Sequence, residues 1–134
     1  MTADRDLCKQ LEEVSGWRNV DNWYCYVVDL GSYDTDHWRV FNKANRPSGH
    51  KDQVPAYDLD YLLRKLPPYI ATHDEHADDY LLTIRPNFAG TMWETIYVGL
   101  ERLLYFQQAD TPEDAVCKLA IELFQAGILK REEK

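Results

Sequence analysis

Apolar positions along this chain change period several times, and each change marks an element. Leu7, Cys8, Leu11 and Val14 share one side of a helical wheel, so Asp4 to Val14 reads as a short amphipathic helix closed by Gly16. Trp23 to Leu30 is rich in aromatic and β-branched residues and predicts a strand. Gly31 to Asp36 is turn chemistry, and Trp38 to Phe41 resumes as a second strand, which makes a hairpin. Asn42 to Gln53 is a polar loop holding Pro47 and Gly49. Asp58 is placed to cap a second helix, in which Leu59, Leu62, Leu63 and Leu66 recur at helical spacing and Pro67-Pro68 is the stop.

Beyond a charged stretch around His73, Tyr80 to Ile84 predicts another strand. Met92 to Val98 and Arg102 to Phe106 predict two more, turning at Gly99, although Leu100 to Gln107 also fits a helix. The clearest local signal lies near the C-terminus. Thr111 suits an N-cap, Pro112 the first helical position and Asp114 the acid of a capping box that reaches back. Val116, Leu119, Ala120, Leu123 and Phe124 follow at helical spacing, and Gly127 supplies a left-handed stop. The order α-β-β-α-β-β-β-α predicts an α+β fold over a single domain, residues 1–134. Its form would be a mostly antiparallel sheet of about five strands, with about three helices on one face. Strands and helices do not alternate regularly, which disfavours a doubly wound nucleotide fold.

Composition narrows the class of function. The 134 residues are 45% hydrophobic and 13% aromatic, enough for a packed core, and carry a formal charge of -8. That charge disfavours direct binding to nucleic acid, while an acidic face can dock on a basic groove of another protein. No apolar run approaches the ~20 residues that span a bilayer, so no membrane partner is expected. The segment Met1 to Asp6 lacks the basic-then-apolar layout of a secretory leader. Cys8, Cys25 and Cys117 are far apart and odd in number, which reads as reduced, buried thiols of a cytosolic protein. Four tryptophans and nine tyrosines are generous for this length and favour a recognition surface.

Candidate chemistry is sparse. Trp38, Arg39, Lys43, Arg46 and Lys51 form a basic stretch without an acid, suited to a phosphorylated small ligand or an acidic partner, with Trp38 to stack on a base. Asp74, Glu75, Asp78 and Asp79 form an acidic face suited to a basic partner. His73 and His76 lie among these acids and have the donor types for a divalent metal, but no matching ligand recurs at a recognisable spacing. Asp34 and Asp36 flank a turn and read as turn residues. No serine lies in a nucleophile elbow and no glycine-rich phosphate loop is present. No catalytic residue, metal ligand or cofactor is therefore assigned.

Two stretches, Tyr57-Asp58-Leu59-Asp60-Tyr61-Leu62-Leu63-Arg64-Lys65-Leu66-Pro67 and Ala109 to Leu119, resemble segments of small accessory proteins encoded by phages and prophages. With the strands between them the resemblance covers about half of the chain. It implies a phage accessory protein working in the host cytoplasm. Small size, acidity, aromatic richness and the lack of catalytic groups make the leading expectation a non-enzymatic binding protein that occupies a host protein, with an anti-CRISPR-type inhibitor of a defence effector as the concrete form. A sponge for a phosphorylated nucleotide signal, working through the 38–51 stretch, is the rival expectation, and a metal-dependent enzyme is a third. An exposed sheet edge also admits a homodimer.

Overall fold

The computed structural model describes residues 1–26, 38–45, 53–71, 79–99 and 103–131. Among them the order is α1 (Arg5–Ser15), β1 (Asn22–Tyr26), β2 (Trp38–Asn42), β3 (Val54–Pro55), α2 (Leu59–Lys65), β4 (Tyr69–Ala71), β5 (Asp79–Pro86), β6 (Trp93–Val98), β7 (Leu103–Ala109) and α3 (Pro112–Gln125). The class is α+β with three helices, and all strand pairs are antiparallel. The strands divide between two sheets rather than forming one, with orders β2-β1-β3 and β4-β5-β6-β7. The short strands β3 and β4 are the two beyond the five that the sequence predicts. Each has two or three residues, too few to establish a period of two.

Helix ends follow the capping chemistry closely. Asp4 Oδ1 accepts from the Asp6 amide at the start of α1, and Asp58 Oδ1 accepts from the Tyr61 amide at the start of α2. Leu66 turns to extended backbone because Pro67 follows it. In α3, Thr111 Oγ1 accepts from the Asp114 amide at 3.1 Å. The acid of that box does not reach back along its own helix. Asp114 Oδ1 accepts from the Asp4 amide at 2.6 Å, so it joins the N-terminus of α3 to that of α1. At the other end, the Ile128 amide bonds to Leu123 O and the Gly127 amide to Phe124 O. Gly127 has φ of 80°, which completes a Schellman stop.

The core lies between the sheets and the helices. α3 packs on β6 and β7 and against α2, and α1 packs between α3 and β3. Leu11, Leu62, Val116, Leu119 and Leu123 are fully buried there. Trp17 meets Phe124 edge-on with ring centroids 5.1 Å apart. The Tyr57 hydroxyl donates to Trp17 O at 2.6 Å, which satisfies a carbonyl that burial would otherwise orphan. Burial pushes the phenols of Tyr57 and Tyr97 well above the ordinary tyrosine value, so both remain neutral donors.

The four-stranded sheet has a defined inside. Thr95 Oγ1 donates to Ala115 O of α3 and the Tyr97 hydroxyl donates to Pro67 O beyond α2. By alternation, Glu94, Ile96 and Val98 of β6 face the other way. β7 carries one extra residue opposite Ile96, since Thr95 pairs with Gln107 while Tyr97 pairs with Leu104. Tyr105 sits at that bulge with φ of 58°, the one non-glycine residue with positive φ among the described residues. The bulge lets Leu104 and Tyr105 both pack against the core and turns Phe106 outward.

Candidate functional site

The residues singled out by charge do not form one described site. Trp38 and Arg39 are neighbours on β2, so alternation sends them to opposite faces of the strand. Arg5 of α1 lies over the Trp38 ring, 4.6 Å from its centroid, and occupies a face that a base would stack on. Arg39 Nη1 donates to Trp38 O at 2.8 Å. Lys43 follows the strand in an exposed turn, where its amide bonds to Asp21 O. Arg46 and Lys51 lie outside the described residues, as do His73, Asp74, Glu75, His76 and Asp78. Asp79 opens β5 opposite Ala71. Arg5 is the basic partner that the local reading missed, because it is 33 positions from Trp38 and only the fold joins them.

Among the described residues, no three His, Cys, Asp or Glu side chains stand together as a metal site. Cys8, Cys25 and Cys117 are buried thiols. No helix among the described residues is long and apolar enough to cross a membrane. A polar cleft of about 300 Å³ lies beside α2, where Asp21, Asp58, Asp60, Arg64 and Lys65 crowd together. Arg64 is engaged there by Asp60, whose carboxyl the guanidinium holds below the usual value.

A second kind of surface is built by the sheet itself. Tyr69, Leu81, Val98 and Leu103 are successive cross-strand partners on β4, β5, β6 and β7. They share the face turned away from α2 and α3, and they form one apolar row across all four strands. Tyr69 is 53% exposed, Leu81 58% and Leu103 58%. Phe106 adds a fifth apolar side chain at 45% exposure, beside the fully buried Ile96. Towards the far end of the strands the same face becomes polar. Arg85 Nε donates to Glu94 Oε2 at 3.1 Å, and Gln108 Nε2 donates to Glu94 Oε1 at 3.1 Å. An apolar centre with a self-satisfied polar margin is the anatomy of a protein-binding patch.

At that polar end the β5–β6 turn presents one more aromatic. The Asn87 carboxamide accepts from the Thr91 and Met92 amides and donates to Thr91 Oγ1, which fixes the turn. Gly90 adopts φ of 72° within it. Phe88 stands at its tip, fully exposed. None of these side chains carried a motif in the sequence. The usable signal was the adjacent apolar pairs Leu81-Leu82 and Leu103-Leu104, since neighbours in a strand face opposite sides and both sides are then apolar. No protein-family model matches the chain, and no curated protein and no solved structure matches it.

Proposed function

We propose that this chain is a non-catalytic binding protein that inhibits another protein by covering part of its surface. The row of Tyr69, Leu81, Val98 and Leu103 carries the proposal, since monomeric proteins seldom leave a contiguous apolar band across a whole sheet. The identity of the target rests on a separate footing. The resemblance of residues 57–67 and 109–119 to phage accessory proteins supports a host component in the host cytoplasm, with a defence effector of the CRISPR type as its concrete form. Competition for a basic groove through Asp74, Glu75, Asp78 and Asp79 would add charge recognition to the apolar contact.

The test compares tagged wild-type protein with the double variant Leu81→Asp/Leu103→Asp in host lysate, weighing recovered assemblies by native mass spectrometry. Wild type should carry the added mass of a whole protein, and affinity for that partner, once purified, should fall at least about 100-fold in the variant with the melting temperature unchanged. Equal binding by both would remove the row from the reading. A small mass released on denaturation would favour the sponge for a phosphorylated ligand instead, and Arg39→Ala should then weaken its capture.

A further inference from the structure

Residues Pro86 to Trp93, which close the hairpin of β5 and β6, include no charged residue, in a chain that is 28% charged. The turn is rigidly built. The Asn87 carboxamide accepts from the Thr91 amide at 2.9 Å and the Met92 amide at 3.3 Å, and it donates to Thr91 Oγ1 at 3.1 Å. The Asn87 amide bonds to Met92 O at 2.8 Å. The Gly90 amide bonds to Asn87 O at 3.0 Å, which closes a β-turn with Phe88 and Ala89 at its corners. Gly90 holds its φ of 72° in open space, so glycine there serves backbone conformation rather than packing. Phe88 is fully exposed, and Trp93 at the base of the turn is 37% exposed. Turn corners favour proline and small polar residues, and an exposed phenyl ring there buries nothing for the fold. We infer that Phe88 is an anchor, a ring presented for insertion into an apolar pocket on the protein partner. The inference rests on the reading of this chain as a protein-binding protein and adds a second contact to the apolar row.

The chemistry of the tip selects the kind of pocket. A charged or strongly polar pocket would lose its water to the ring and gain no partner for its own groups, so the fit is to an uncharged apolar pocket of phenyl size. Single-stranded nucleic acid is disfavoured, because stacking on a base works beside cations that track the phosphates. The cation next to the tip in sequence, Arg85, is engaged by Glu94, in a chain of charge -8. A membrane surface is disfavoured as well. Interfacial binding draws on a broad apolar face and on attraction to anionic lipid, and the tip offers one fully exposed ring and no cation. The rigid turn adds to affinity, since a ring with two side-chain torsions on a fixed backbone loses little freedom on insertion.

Wild type, Phe88→Ala and Phe88→Leu should be compared on the protein that wild type carries out of host lysate, once that protein is purified. Phe88→Ala should lose at least about 30-fold in affinity and Phe88→Leu markedly less. Melting temperatures should be unchanged in both, because the exposed ring buries nothing in its own chain. A chain bearing p-benzoylphenylalanine in place of Phe88 should cross-link on irradiation to one cluster of apolar residues on the partner. Equal binding by Phe88→Ala and wild type, while Leu81→Asp/Leu103→Asp binds weakly, would remove the anchor and leave the apolar row standing. Failure of wild type to carry any protein would remove both. Phe88-dependent flotation with phosphatidylcholine vesicles would overturn the inference and assign the tip to a membrane.

Discussion

The two faces of the four-stranded sheet are made from the same residue types and meet opposite fates. On the inner face Thr95 and Tyr97 are buried under α3 and α2, and each hydroxyl is spent on a backbone carbonyl. On the outer face Leu81, Leu103 and Tyr69 remain more than half exposed. Hydrophobicity alone does not decide which side becomes core. The helices decide it, because α3 buries most of its circumference against α1, α2, β6 and β7 while the sheet offers two apolar sides. The outer side buries Ile96 fully yet leaves Tyr69, Leu81 and Leu103 more than half exposed, and that exposed row is surface a partner can use.

The largest effect that this contrast predicts is on stability. Leu119→Ala in α3 should cost about 2–5 kcal/mol by urea denaturation, because it empties fully buried volume. Leu81→Ala should stay within about 0.5 kcal/mol of wild type. A comparable loss at Leu81 would mean that the outer face is covered in solution, and the contrast between faces would break.

A smaller effect sharpens the contrast at the bulge. Tyr105→Ala and Tyr105→Gly both remove the ring from the inner face, but only glycine is at ease with φ of 58°. The glycine variant should be the more stable of the two by about 1 kcal/mol, read by thermal melts. The reverse order would show that the left-handed backbone does not limit this position.

The smallest expected effect concerns charge on the helical side. Burial raises the Glu12 carboxyl above its ordinary value of 4.5, and Arg18, 3.6 Å away, only partly offsets this. The folded chain therefore holds this proton more tightly than the unfolded chain does. Wild type carries that stabilisation in full below about pH 4.5 and loses it as pH rises through the raised value. Glu12→Gln should be more stable than wild type at pH 7 by less than about 1 kcal/mol, with the difference closing in acid. A pH-independent difference would place the effect in packing instead.

What could be read beforehand follows how far each determinant reaches along the chain. The caps at Asp58 and Thr111 and the stop at Gly127 depend on a few adjacent residues, and all appear where local chemistry puts them. Asp114 was legible as a capping acid but not in its partner, because Asp4 is far away in sequence. The division into two sheets depends on which strands pair at long range. No local period encodes that choice. The outer row was missed for a related reason. Tyr69, Leu81, Val98 and Leu103 come into line only through register, and their exposure depends on helices covering the other side. Charge clusters drew attention first, yet Trp38 and Arg39 part to opposite faces and Arg5 takes the tryptophan ring.

The junction at Thr2, Ala3 and Asp4 has a consequence for synthesis. Thr2 bridges to Asp58 and touches the Tyr24 hydroxyl, the Ala3 amide bonds to Tyr57 O, and the Asp4 amide bonds to Asp114. Asp4 thus waits for a partner residue that is synthesised 110 positions later. At ordinary elongation rates that is a wait of roughly 5–20 s. Over that interval α1 has no α3 to pack on, and its apolar stripe, with the Cys8 thiol, is open to chaperones and oxidants alike.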